Sequence, residues 1–354
     1  MSKNEHRIKW SNIYYMLCYC VEELSYFKDA YIDDEEINGT NDLLATLLCR
    51  AFELLYKNGY IKDYNQEQVV TDKPRGRLNI PKSVSSGQLG RAKLVCNVSN
   101  IGIDTRLNRI IKSSFSVLIE SDKANDDKMN INLKAKLYRY RGMLDNVSDV
   151  QVSLKELYEI TEVPEWYKPI FAVCKLIWGD WIALDKEGDN RLFDLKDRNR
   201  LCYIWQKYLL HFSQKYFNQL TVSNPTYIDG WKIDKNGSKQ PRQRHLDLLI
   251  NDKYNKKAVI ADAKYYNSGD GDSVSNRDQV NTYCDIFYNN HMDYKITGLL
   301  LIASDRCTGH IGGKDGNNGI EINSYTININ QDKDNMESDI IDIIESYLNK
   351  TKLE

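Results

Sequence analysis

The segment RHLDLLINDKYNKKAVIADAKYY (244–266) places charged side chains where a β-strand tolerates them least. Two apolar runs, 245–251 and 257–264, flank the polar turn Asp252–Lys256 and read as a hairpin. Asp247 falls inside the first strand, Asp262 and Lys264 inside the second. The spacing of Asp262 and Lys264 sends both side chains out of one sheet face. A charged pair within an apolar strand is costly unless it is partnered. Two carboxylates from adjacent strands plus a lysine are what a Mg²⁺-dependent phosphodiesterase needs. Hard oxygen ligands hold the cation. The cation polarises the phosphate and lowers the pKa of bound water. The lysine orients the attacking water or offsets charge developing on the phosphorane. A lone D-x-K is more simply a solvent-exposed salt bridge. The upstream Asp247, the apolar surround and the flanking helices count against that reading.

The helix expected over 275–289 carries Gln279 and Tyr283 four residues apart, on one face. This is the Q-x-x-x-Y arrangement of one branch of the PD-(D/E)xK nucleases, where it organises the site and the DNA. From about Asp197 the order is a long helix to Phe217, strands at 219–223, 227–233, 245–251 and 257–264, the 275–289 helix, and the apolar strand ITGLLLIAS (296–304). A Gly-rich loop, a strand near 320–329 and a C-terminal helix complete it. Upstream, helices are expected at 10–29, from a cap at Asn41 or Asp42 to Tyr56, and at 105–121, 129–144 and 166–183. Short β-like runs occupy 68–98. The polar stretch LDKEGDNRLFDLKDRN (184–199) marks a boundary. The fold class is therefore α+β / α/β: a mixed α+β N-terminal domain over 1–185 and a restriction-endonuclease-like domain over 186–354.

Composition limits the partners. The 48 Lys and Arg against 50 Asp and Glu leave a net charge of −2, so nucleic-acid contact must come from local patches and a stand-alone DNA-binding module is disfavoured. None of the eight cysteines forms a C-x-x-C pair. Most fall in apolar helical runs and read as reduced core residues of an intracellular protein. The N-terminus lacks a signal-type apolar core, and the most membrane-like run, Trp10–Val21, is too short to span a bilayer. A cytoplasmic protein with no membrane association is expected. The stretch TGHIGGKDGNNG (308–319) has Asp315 after its lysine, so it is no P-loop and reads as a mobile surface loop.

Seven blocks in order resemble the McrC family, the nuclease subunits of McrBC modification-dependent (type IV) restriction systems. They are NIYYMLCY (12–19), RGRL (75–78), DTRLNRIIKSS (104–114), YKPIFAVCKLI (167–177), WQKYLLHF (205–212), IADAKYY (260–266) and GLLL (298–301). The resemblance implies Asp247 and Asp262 as the carboxylates and Lys264 as the lysine of a Mg²⁺ site, with the Ala263 backbone carbonyl as a further ligand and Gln279 and Tyr283 as the Q-x-x-x-Y pair. Gln206 stands where many relatives carry a glutamate; a neutral amide binds Mg²⁺ more weakly and is not counted as a ligand. The implied partner is an McrB-like AAA+ GTPase hexamer, which binds GTP and reads modified cytosine in double-stranded DNA, and whose GTPase the N-terminal half stimulates.

Weaker candidates surround this set. Lys239, Arg242 and Arg244 precede Asp247 and could meet phosphates, although a solvated loop explains them equally well. Arg75 and Arg77 suit partner contact. The acidic residues at 33–36 read as a solvated turn. His245 lies two positions before Asp247, expected on the same face, with no assigned role. Two other readings stay open: a nuclease of this fold from another defence or repair system, and a non-cutting adaptor that only stimulates its NTPase.

Overall fold

The computed structural model describes residues 8–124, 129–179, 198–233, 239–265, 273–305 and 307–349; between 228 and 242 the description is of backbone alone. It divides into two compact units, Glu36–Phe193 and the remainder on either side of it.

The first described helix, α1 (Trp10–Cys20), stops sooner than expected. Val21 is extended and the chain continues as a 3-10 turn over Glu22–Phe27. The turn folds back and buries Leu24 and Phe27, and Tyr14 donates its hydroxyl proton to the Phe27 carbonyl at 3.1 Å. A straight helix would carry residue 27 about 20 Å away from residue 14. The acidic turn is more than a solvated one. Asp34 accepts from the Ser11 N–H (2.8 Å) and Oγ (2.7 Å), satisfying an otherwise open donor at the start of α1.

The unit Glu36–Phe193 contains α2 (Thr40–Asn58), β1 (Asp63–Thr71), β2 (Arg77–Leu78), α3 (Ile80–Ser85), β3 (Leu94–Gly102), α4 (Arg106–Ala124), α5 (Ile131–Gly142), α6 (Leu154–Glu159) and α7 (Lys168–Ile177). Gly39, rather than Asn41 or Asp42, caps α2; the buried Asp42 accepts from the Asn38 N–H instead. Phe52, Phe115 and Tyr140, from α2, α4 and α5, meet ring to ring in the core. The NRIIKS block explains itself here as structure. Asn108 is fully buried; its amide donates to the Ile61 and Ile103 carbonyls, and its Oδ1 accepts from the Tyr167 hydroxyl at 2.6 Å. Tyr167 in turn accepts from the Ile61 N–H. Lys112 caps the Val147 carbonyl and pairs with Asp149, and Ser113 donates to Val150. The strands form an antiparallel sheet in the order β1-β3-β2.

The second unit comprises α1, α8 (Arg198–Tyr216), β4 (Thr221–Ser223), β5 (Thr226–Ile233), β6 (Lys239–His245), β7 (Leu248–Asp252), β8 (Lys257–Tyr265), α9 (Val274–Tyr288), β9 (Lys295–Ser304), β10 (Gly309–Asp315), β11 (Glu321–Asn328) and α10 (Lys333–Leu348). The division at 185/186 would leave α1 with the N-terminal domain. In the structure Asn12 donates to the Ile329 and Gln331 carbonyls, Cys20 to Ile204, and Tyr15 to Glu337. These contacts tie α1 to the far end of the chain, which no local pattern could reveal. The 184–199 boundary segment itself lies almost wholly outside the described residues.

The main sheet has the order β10-β11-β9-β8-β7-β4. β8, β9 and β11 run parallel; β7 and β10 run antiparallel to their neighbours. β5 and β6 form a separate two-stranded ribbon, so residues 239–245 extend in a strand where a basic loop was expected. The Gly-rich stretch is likewise no mobile loop: it is edge strand β10 and the turn after it, and that turn is pinned to α9 through Asn317 to Asn281 and Asp285. Gly298 is required where α9 crosses β9, because a Cβ there would lie 2.7 Å from Val280 Cγ1 and 3.0 Å from Cys284 Sγ. No described helix is long and apolar enough to cross a membrane.

Candidate active site

The alternation of β8 decides what faces what. Ala258 and Ile260 pack into the cluster built on Val280, Tyr283, Cys284 and Phe287 of α9. Asp262 and Lys264 continue that row, so the strand aims both at α9. Across the hairpin, Leu249 pairs with Ile260 and Leu248 with Ala261. The same register sets Asp247 opposite Asp262. Asp247 is not within a strand, however. It occupies the bend before β7, because the preceding residues have turned away to pair with β5. Its Oδ2 accepts from the Ala263 N–H at 2.9 Å, so a side chain takes the ladder position that a strand carbonyl would fill.

Asp262 is 1% exposed, and its Oδ2 lies 2.7 Å from Lys264 Nζ. That contact is a close ion pair; among the described residues no other hydrogen-bond donor satisfies the atom. Burial, and then the charge of Asp262, push the Asp247 carboxyl up to about 7. Burial also pushes Asp262 above the ordinary carboxylate range, against the pull of Lys264 and of its hydrogen bond with Asp247. For Lys264 burial disfavours the ammonium, but Asp262 and then Asp247 outweigh it and raise the pKa. Two carboxyl groups thus crowd one pocket with a single lysine, a centre short of positive charge.

The structure brings the helix pair to the same place. Gln279 donates through Nε2 to the hydroxyl of buried Tyr283 at 2.6 Å. Tyr283 senses Asp262, Asp247 and Lys264, and burial first among these influences raises its pKa, so it stands as a neutral hydroxyl.

Two residues of α8 reach the site from the other side. Gln206 Nε2 lies 3.1 Å from Asp247 Oδ2 and 3.4 Å from the Ala263 carbonyl. One turn earlier, Cys202 Sγ donates to that carbonyl at 3.7 Å. Cys202 is half-buried at the site, and Cys307 is exposed, so these two depart from the expectation of core cysteines while the other six are buried. The four-residue spacing of Cys202 and Gln206, which puts them on one face of α8, was the signal available in the sequence.

Other candidates do not converge. Arg244 is half-buried and paired in register with Tyr227, whereas the side chains of Lys239 and Arg242 lie outside the described residues. His245 is exposed, its Nδ1 2.8 Å from Thr226 Oγ1, because the ribbon has carried it off the β7–β8 register. Arg75 and Arg77 are exposed in the other unit. Gly76 between them has φ +71°, and a Cβ there would meet the Asn97 carbonyl at 2.5 Å. Among the described residues no group of three or more His, Cys, Asp or Glu side chains could hold a metal ion, so any cation here would rest on two carboxylates.

A family model described as McrBC 5-methylcytosine restriction system component matches residues 1–302. The type IV methyl-directed restriction enzyme EcoKMcrBC of Escherichia coli (strain K12) is 27% identical over 356 residues, which is 95% of this chain and 97% of that protein. Among solved structures, the refined half-complex from a tetradecameric assembly of Thermococcus gammatolerans McrB AAA+ hexamers with bound McrC aligns with a TM-score of 0.57 at 11% identity, over 95% of this chain and 76% of that one. At that identity the likeness speaks to the fold, which is mixed α and β as expected. With the family match running from the first residue into β9 of the main sheet, the chain belongs to the McrBC 5-methylcytosine restriction system component family.

Proposed function

We propose that this protein is the DNA-cleaving subunit of its McrBC system, a Mg²⁺-dependent endodeoxyribonuclease that hydrolyses phosphodiester bonds in DNA carrying modified cytosine. The observation that carries the reading is that Asp247, in the bend before β7, is held beside Asp262 by the Ala263 N–H at 2.9 Å, with Lys264 2.7 Å from Asp262. The donor set fits a hard cation. The Ala263 carbonyl at the site already accepts from Cys202 and Gln206, so the two crowded carboxylates are the main ligands, and so few protein ligands suit Mg²⁺, which keeps several waters and takes others from substrate phosphate. When bound, such an ion polarises the scissile phosphate and acidifies a coordinated water. The chain's own residues do the rest. Asp247 and Asp262 hold the site's negative charge. Lys264 offsets charge as it develops on the phosphate or orients the attacking water. Gln279 and Tyr283 position the wall facing Lys264.

The working partner under this reading is an McrB-like AAA+ GTPase hexamer, by analogy with the McrB AAA+ hexamers that hold McrC in the Thermococcus assembly. GTP belongs to that partner. Arg75 and Arg77, exposed on the Glu36–Phe193 unit, suit contact with it. The basic β5–β6 ribbon, with Arg244 at its base next to Asp247, suits DNA backbone contact. The test is cleavage of methylated plasmid by the chain with partner, GTP and Mg²⁺. Asp262→Ala should cut at no more than background. Cutting at the wild-type rate by that variant would remove the assignment.

A further inference from the structure

The proposed metal centre contains a neutral residue that its ligand set does not use. Gln206 touches two oxygens at that site, Asp247 Oδ2 at 3.1 Å and the Ala263 carbonyl at 3.4 Å, through one nitrogen. A primary amide donates two protons from that nitrogen. Asp247 Oδ2 therefore has two donors, Gln206 and the Ala263 N–H at 2.9 Å. With both of its lone pairs engaged, Oδ2 is anchored, and Oδ1 is the oxygen left to turn toward Asp262 and a cation. Hydrogen bonds to a ligating carboxylate commonly set ligand orientation in this way.

The donor is also held rigidly. Neighbouring Trp205 is fully buried and donates from Nε1 to the Leu301 carbonyl at 3.1 Å; Cys202, one turn back, donates to Ala263. α8 is thus fastened to β8 and β9 in the turn that leads into Gln206. A glutamate at this position could bind a cation directly, but an ionised one could not donate and would repel Asp247.

We infer that Gln206 is a positioning residue for divalent-cation binding: its amide fixes the Asp247 carboxylate so that the free oxygen faces the metal, and it acts by donation, not by ligation. The inference rests on the nuclease reading of the site. Loss of the donor should weaken cation binding even without DNA, since the effect is on the ligand and not on the substrate.

The test measures Mg²⁺ binding to the full chain by calorimetry, beside Mg²⁺-dependent cleavage with partner and GTP. Gln206→Ala should keep the wild-type circular dichroism, bind Mg²⁺ about tenfold more weakly, and recover cleavage as Mg²⁺ is raised. Gln206→Glu keeps the chain length and loses the donor, and should bind no better than Gln206→Ala. Wild-type Mg²⁺ affinity in Gln206→Ala overturns the inference. So does tighter binding in Gln206→Glu, which would make the position a ligand's. Asp262→Ala separates the role of Gln206 from the metal site itself. If it loses Mg²⁺ binding while Gln206→Ala keeps it, only the role of Gln206 fails; if it keeps Mg²⁺ binding, the metal-site reading fails and takes the inference with it.

Discussion

At the scale of single residues, the two carboxylates are arranged for something other than stability. Burial raises the cost of ionising both Asp247 and Asp262, and the charge of Asp262 adds to it at Asp247. An unfolded aspartate releases its proton near pH 4, while folded Asp247 holds one up to about 7. The folded state therefore binds more protons between these values. This contribution to stability is complete below about pH 4 and is lost as the pH rises through about 7. Two outcomes are expected. Metal-free protein should melt at lower temperature at pH 8 than at pH 6, and Mg²⁺ should raise the melting temperature more at pH 8, where it replaces protons the site no longer holds. Asp247→Asn should abolish cleavage yet flatten the pH dependence and raise the metal-free melting temperature at pH 8, because an amide keeps the shape and can still accept from Ala263 N and Gln206. Scanning calorimetry of both proteins across this range checks the sign; a melting temperature lowered by the substitution would mean the carboxylate is structural.

Among secondary-structure elements, most of the motif-like density serves packing. The Asn108–Tyr167–Ile61 network ties α4 to the segment before β1 and to the turn leading into α7. Asn108→Ala leaves the Ile61 and Ile103 carbonyls and the Tyr167 hydroxyl short of partners and should cost about 2–4 kcal/mol in urea unfolding of the Glu36–Phe193 unit. Mg²⁺ binding should not change, since the centre lies in the other unit. At α9 the constraint is steric. Gly298→Ala forces Val280 and Cys284 off β9 and should cost about 1–3 kcal/mol as overpacking. The same displacement moves Tyr283, so cleavage should fall further than stability predicts. Equal Mg²⁺ affinity and cleavage in Gly298→Ala and wild type would show that α9 can give way without disturbing the site.

Across the whole molecule, the candidate centre and the arginines proposed for partner contact fall in different compact units. The candidate centre lies in the unit that contains α1 and α8–α10, and Arg75 and Arg77 lie in the other. Asp262→Ala should accordingly abolish cleavage and still stimulate the GTPase of an McrB-like partner. The double substitution Arg75→Ala, Arg77→Ala should do the reverse: little stimulation, with Mg²⁺ affinity unchanged. Loss of both activities in both variants would contradict the separation. With a net charge of −2, the chain alone should hold DNA weakly, with binding that falls steeply as salt rises. Efficient cutting without partner or nucleotide at physiological salt would favour a self-sufficient nuclease instead.

The hairpin, its charged pair and the glutamine–tyrosine helix were legible from residue order, because each depends on local periodicity: two along a strand, about three and a half along a helix. So were the helices that build the Glu36–Phe193 core. Three features depended on contacts remote in sequence. Asp247 leaves the strand because residues 239–245 pair with β5, and a basic run with no alternating pattern does not announce a strand. α1 belongs with the C-terminal unit because Asn12 finds the carbonyls of Ile329 and Gln331 more than 300 residues away. Gln206 meets Asp247 because α8 is fastened across β8 and β9, and a neutral amide becomes informative only when its neighbours are known. Periodicity determines which face a side chain takes; what stands opposite that face is decided by tertiary packing.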